Sequence, residues 1–215
     1  KGNRPSLALP YELRAEGQIL ENGNFQISMK AENQLFGSNA AGAPFTVYSP
    51  EPFMDKNGKK DICRNWSFCT KAGDEIKYEW PINAFENGNY HLNLHGPNGF
   101  YREFKGSAQG PIIVMEVVPE IKRVTKIPTG NLVISLTNKS NKPFTFKIID
   151  RGYKKGELAN SSLASHETKH LVVDLIESHG WYDFEISSTG NYLQRYAGRV
   201  ETGKEGMTDP LINLS

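Results

Sequence analysis

The sequence predicts an all-β protein assembled from two sandwiches in tandem. Three observations carry that reading. Short segments alternate apolar and polar residues with a period of two, the mark of a strand with one face on a core. Twenty glycines and twelve prolines in 215 residues, with many Asn and Thr, favour short strands joined by tight turns over helices. The order of features in the first half also recurs in the second, as expected of a divergent duplication.

The strands follow in order. Phe25-Gln26-Ile27-Ser28-Met29 alternates, as does Phe45-Thr46-Val47-Tyr48 after Pro44. Ile76-Lys77-Tyr78-Glu79-Trp80 follows the turn signal Ala72-Gly73-Asp74, and Tyr90 to His95 follows Asn87-Gly88-Asn89. Phe100 to Phe104 comes after Gly96-Pro97-Asn98-Gly99, where Asn and Gly supply the positive-φ positions of a hairpin turn. In the second half Leu132 to Leu136 runs into Asn138, much as the first half's strand runs into Asn33. Pro143-Phe144-Thr145-Phe146 echoes Pro44-Phe45-Thr46-Val47, and Gly180-Trp181-Tyr182 echoes Gly88-Asn89-Tyr90. Tyr192-x3-Tyr196-x-Gly198 repeats Phe100-x3-Phe104-x-Gly106, 92 positions on.

The small residues Gly106 to Pro111 divide the two periodic regions, predicting domains at 1–108 and 109–215. Each is about the size of an immunoglobulin-like sandwich, without the Cys…Trp…Cys spacing of antibody domains. Thr202 to Ser215 has little periodicity and reads as a tail.

Composition and motifs narrow the chemistry. Twenty-five basic and 24 acidic residues, a net charge of +1, give no support to a nucleic-acid partner. The apolar run Ile112 to Met115, continued by Val117-Val118, is far too short to span a bilayer. His166-Glu167-Thr168-Lys169-His170 matches the H-E-x-x-H of zinc proteases, but that chemistry requires a helix. In the strand that the repeat calls for here, the two histidines stand about 13 Å apart and cannot share a zinc. His91 and His95 have the same spacing within a strand and read as polar-face residues. There is no G-x-S-x-G elbow and no Walker-type phosphate cradle. Asp55 to Asp61 matches no EF-hand spacing. We therefore expect no catalytic residue, metal or cofactor in these residues. Cys63 and Cys69 could close a small loop or stand as two thiols.

Two segments are richer than a generic sandwich needs. Phe100, Tyr101 and Arg102 lie in one, and Arg195, Tyr196 and Arg199, leading on to Asp209, in the other. Arginine beside aromatics is an anchor composition at buried interfaces, so these seven residues are the candidate interface.

The same segments carry a family resemblance. Leu9-Pro10-Tyr11-Glu12-Leu13, Gly42 to Tyr48, Gly96-Pro97-Asn98-Gly99-Phe100-x-Arg102-x-Phe104-x-Gly106, Gly180-Trp181-Tyr182-Asp183 and Arg195 to Gly203 with Asp209-Pro210 resemble the C-terminal repeats of bacterial phosphocholine-specific phospholipase C. Met207 to Leu211 is a looser version of that family's Ser-rich ending. The resemblance implies a non-catalytic accessory region of a secreted, periplasmic or cell-surface bacterial enzyme. Its partner would be an N-terminal phosphoesterase domain of the same chain that hydrolyses phosphatidylcholine or sphingomyelin, with a phospholipid surface as a further partner. Export favours a Cys63–Cys69 disulfide. The alternative is a stand-alone module for phosphocholine headgroups or carbohydrate, using Trp66, Tyr101 and Tyr192 as a cage or platform.

Overall fold

Side chains that alternate between core and solvent draw this chain into strands almost throughout. The computed structural model describes residues 3–154 and 156–213. The first half contains β1 (Pro5–Ser6), β2 (Leu13–Ile19), β3 (Asn24–Ala31), β4 (Ala43–Ser49), β5 (Phe53–Met54), β6 (Lys60–Asp61), β7 (Arg64–Thr70), β8 (Asp74–Pro81), β9 (Asn89–His95) and β10 (Tyr101–Ser107). The second contains β11 (Ile113–Ile121), β12 (Pro128–Asn138), β13 (Phe144–Asp150), β14 (Gly156–Leu163), β15 (Thr168–Val173), β16 (Trp181–Ser187), β17 (Leu193–Arg199) and β18 (Gly206–Met207). In β3, Phe25, Ile27, Met29 and Ala31 are buried and the residues between them are half-buried, as the alternation predicts. The turn into β10 also forms as expected. Asn98 and Gly99 both have positive φ, 56° and 72°, and the Phe100 N–H reaches the Pro97 carbonyl at 3.2 Å.

The two halves are joined more closely than beads on a string. One eight-stranded sheet runs β14-β13-β16-β17-β10-β9-β4-β7, through both halves. Two three-stranded sheets, β2-β3-β8 and β11-β12-β15, complete a four-plus-three sandwich in each half. Strands β10 and β17 meet at the seam, antiparallel, with Tyr101 opposite Ala197, Glu103 opposite Arg195 and Lys105 opposite Leu193. Adding the repeat offset of 92 to Glu103 gives its own partner, Arg195, and the ladder reads the same from either side. The turn 108–112 between β10 and β11 passes the chain from one sandwich to the other.

The buried apolar side chains of both halves form one cluster. A row of rings crosses the seam: Phe25 to Phe104 at 5.5 Å, Phe104 to Tyr196 at 6.2 Å, and Tyr196 stacked on Phe184 at 5.7 Å. The repeat explains two glycines. Gly106 lies opposite Tyr90 and Gly198 opposite Tyr182, each tyrosine ring covering the bare backbone of its neighbour. A Cβ at Gly106 would stand 2.7 Å from Tyr90 Cζ. Gly106→Val is therefore expected to lower stability by about 1–3 kcal/mol, the usual cost of overpacking. Denaturant titration checks it.

The tail is built in rather than trailing. β18 pairs with β1, Pro5 opposite Met207, and a short 3-10 turn follows at Pro210–Asn213.

Candidate functional site

β10 and β17 are central strands, so their side chains divide between a core face and an outer face. Arg102, Phe104, Gln194 and Tyr196 point inward, while Tyr101, Glu103, Lys105 and Arg195 lie on the outer side. Six of the seven candidate interface residues accordingly fall into three groups.

Arg102 is 1% exposed, with its guanidinium at the centre of the seam. Its Nη1 donates to the carbonyls of Tyr101 (2.8 Å) and Ala197 (2.9 Å), and its Nη2 to the Tyr182 hydroxyl (3.1 Å). The rings of Phe100, Tyr196 and Tyr182 surround it at 3.9, 4.7 and 5.7 Å. This is an aromatic cage already filled by the protein's own cation. Phe100, Arg102 and Tyr196 are buried, so they hold the halves together and present nothing to an outside partner.

The outer group is a polar ladder. His91 Nε2 lies 3.0 Å from Glu103 Oε1, and the Tyr101 hydroxyl has its one proton within reach of two acceptors, Asn93 Oδ1 and Glu103 Oε2, both at 3.1 Å. Arg195 grips Asp183 with two bonds of 2.7 and 2.6 Å, and this pairing raises its pKa further. Burial, then the nearby Glu103 carboxylate, raises the Tyr101 phenol. Hydrogen bonds from His91, then Lys105 and Tyr101, hold the Glu103 carboxyl down to about 2. Its ionised form thus stabilises the fold in full above the ordinary value of 4.5, and that contribution is lost as pH falls through about 2. Glu103→Gln is expected to flatten the acid limb between those values in a series of thermal melts against pH.

The third group is a clasp at the chain ends. Arg199 Nη1 lies 3.4 Å from Glu201 Oε1, both side chains about 5% exposed. Asn98 donates to Glu201 at 3.0 Å, and Arg199 donates to Ser6 Oγ at 3.2 Å. The Trp181 indole donates to the Met207 carbonyl at 3.0 Å. Burial raises the Glu201 carboxyl, and Arg199 opposes that rise. Asp209 lies apart, accepting the Tyr153 hydroxyl at 3.0 Å and the Leu211 N–H at 2.9 Å.

Two expectations are corrected, the Cys63–Cys69 disulfide and the Trp66, Tyr101 and Tyr192 cage. Cys63 and Cys69 are free, exposed thiols. They stand at opposite ends of the extended β7 segment, about 20 Å apart at strand rise, far beyond the reach of a disulfide. Tyr192 is buried, the Tyr101 phenol is engaged on the outer ladder, and Trp66 sits on edge strand β7, so the three form no cage. The H-E-x-x-H run leaves a turn at His166 (φ 59°) and enters β15. His166 faces Asn141 and His170 faces Ser135, at 3.0 and 2.8 Å, so the helix that the zinc chemistry needs does not form. Among the described residues no three His, Cys, Asp or Glu side chains cluster to hold a metal.

Sequence reasoning passed over His91, Asp183 and Glu201 as partners. The signal available for His91 and Asp183 was opposite charge on strands joined by a hairpin, and for Glu201 opposite charge two residues from Arg199. It also missed a groove of about 860 Å³ between β2 and β11, the facing edges of the two small sheets, walled by Leu13, Leu35, Val117, Pro119, Ile121 and Ile127.

Comparison with known proteins comes to the same place. The family described as bacterial phospholipase C, C-terminal domain, matches residues 5–107 and 116–199. A non-hemolytic phospholipase C of Pseudomonas aeruginosa is 29% identical over 99% of this chain and 29% of its own length. A hemolytic phospholipase C of the same organism is 29% identical over 100% of this chain and 30% of its own. A non-hemolytic phospholipase C of Burkholderia pseudomallei is 28% identical over 98% and 28%. The chain thus spans less than a third of the length of these relatives.

Proposed function

Because this chain belongs to the family of bacterial phospholipase C C-terminal domains, we propose that it is a non-catalytic accessory region that seats against the catalytic domain of a longer phospholipase C. The observation that carries the reading is the family match through both halves, together with relatives more than three times as long that are named for the activity. In this reading the catalytic machinery lies outside these 215 residues, and the enzyme acts on phosphatidylcholine or sphingomyelin. The two repeats, divided near 108/109, form one rigid platform through their shared sheet. The protein is exported, to the periplasm, the cell surface or the medium.

The groove between β2 and β11 is the docking face this reading favours. Leu13, Val117 and Pro119 give it an apolar wall, and Ile121 and Ile127 on its rim are 45% and 48% exposed. The structure supports this placement better than the seam arginines, which are consumed internally.

The test is direct. The isolated chain, incubated with phosphatidylcholine vesicles, should release no phosphocholine, and should co-elute with a separately produced catalytic region. Ile121→Glu with Ile127→Glu should abolish the co-elution while the fold is kept. Turnover by the isolated chain would sink the accessory reading, and co-elution untouched by the double variant would remove the groove.

A further inference from the structure

The two halves are built alike but finished differently at their open sides. Edge strand β7 of the large sheet and edge strand β8 of the small one face each other without a ladder between them. The gap is a cleft of about 670 Å³, a size suited to a small ligand. Its walls are aromatic. Trp66 and Trp80 meet edge to face at 5.5 Å, Tyr78 approaches Trp80 at 4.7 Å, and Phe53 approaches Trp66 at 5.2 Å. Asn57 and Asn83 stand on the rim.

The second half shows that the sandwich does not need such a wall. Trp66 pairs with Val47, three residues after Pro44, and its counterpart Ser161 pairs with Phe146, three residues after Pro143. There the open side is closed by polar bonds: Lys169 Nζ donates to Ser161 Oγ at 3.1 Å and to the Ser162 carbonyl at 2.5 Å. Packing alone therefore does not explain the rings on the first half.

One group in the aromatic wall has an unmet need. Trp80 is 1% exposed, and its Nε1 is buried without a hydrogen-bond partner. An indole N–H can only donate, so what is missing is an acceptor oxygen. The cleft selects for no net charge, because Lys56 and Arg64 balance Asp55 and Glu79 in its lining and the Arg64 guanidinium lies over the Phe53 and Trp66 rings at 5.3 and 5.5 Å. A ligand that fits has an apolar face for the rings, oxygen acceptors for the indole, and hydroxyls for the rim amides, with no net charge. A sugar ring has all of these, its axial C–H face being apolar and its edge hydroxylated.

We propose that the cleft between β7 and β8 binds carbohydrate, with the exposed Tyr78 ring as the stacking face, Trp66 as the wall behind it and the Trp80 indole as a donor to a sugar oxygen. This role stands apart from docking, since the cleft lies on the outer edge of the first half and the docking groove at its inner edge.

The test titrates the 215-residue chain with soluble oligosaccharides of glucose, mannose and N-acetylglucosamine, read by tryptophan fluorescence and calorimetry. Free phosphocholine forms a parallel arm. Saturable binding of at least one oligosaccharide series is expected. Trp66→Ala should weaken it about tenfold or more, as for an aromatic anchor. Tyr78→Ala, at a side chain 39% exposed, repeats the test where folding is not at stake. Trp80→Phe should weaken binding while keeping the ring, and Lys169→Ala in the second half should leave it unchanged. The proposal is overturned if no series binds, if binding is indifferent to both Trp66→Ala and Tyr78→Ala, or if phosphocholine alone binds in the cleft.

Discussion

Arg102→Ala is expected to lower the stability of the chain by about 3–5 kcal/mol, more than loss of a typical surface arginine by an order of magnitude. The side chain fills the centre of the seam, and its removal leaves a cavity among Phe100, Tyr182 and Tyr196. It also strips a buried donor from the Tyr182 hydroxyl and from two carbonyls. All three hydrogen bonds go to neutral oxygens, so the charge is held by dipoles and ring faces and leaves no orphaned anion behind. Two further variants separate the contributions. Arg102→Met keeps most of the volume and should recover the part due to packing. Arg102→Lys keeps the charge but loses the flat guanidinium, and should fare little better than alanine. At about 2–4 °C per kcal/mol for a chain of this size, the alanine variant should melt roughly 6–20 °C below the parent. A shift of only a degree or two would show that the cage is not what holds the seam.

The second large effect is expected at the clasp, and its logic is opposite. Arg199→Met removes the partner of a buried carboxylate and leaves Glu201 desolvated and unpaired, a loss of about 3–5 kcal/mol. Here the second partner can be removed as well. Arg199→Met with Glu201→Met exchanges a buried ion pair for apolar groups, and should recover most of the loss. Burial already raises the Glu201 carboxyl, and removing Arg199 takes away the charge that opposes the rise. Stability owed to a carboxyl with a raised folded pKa falls as pH rises from the ordinary value through the folded one. The single variant should therefore lose more at neutral pH than in acid, and the double variant should show no such slope. Equal losses in both would rule out an unpaired carboxylate as the cause.

Much of this architecture is visible in the residues themselves. The alternation of Phe25 to Met29, the Asn98-Gly99 turn and the 92-residue echo of Phe104-x-Gly106 in Tyr196-x-Gly198 each state a local requirement: a buried face, a positive φ, a tyrosine-covered glycine. Strand neighbours are another matter. Nothing in Tyr101 to Ser107 says that the far side of that strand pairs with Leu193 to Ala197, because a pleated strand offers the same hydrogen bonds on both sides. Without that pairing the sequence places Arg102 and Tyr196 toward a partner: an Arg in an alternating strand normally marks the wet face, and here the aromatic cage overrides the pattern. The cysteines show the converse: closeness in sequence is not closeness in space along an extended strand, and Cys63 and Cys69 stand as two thiols. Trp66, Tyr78 and Trp80 were each visible, but only the opposition of β7 and β8 brings them to one cleft.

The ladder between β10 and β17 has one more consequence. Because Glu103 and Arg195 occupy the same position in their repeats and pair with each other, the halves are related by a two-fold axis through that pair. Two separate copies of a single sandwich would use the same edge in the same register to form a symmetric homodimer. The chain thus has the form of such a dimer joined end to end, with the association made intramolecular. Fusion also frees the halves to diverge: one seam position holds Arg102 and its mate Gln194, and one open side is polar while the other is aromatic.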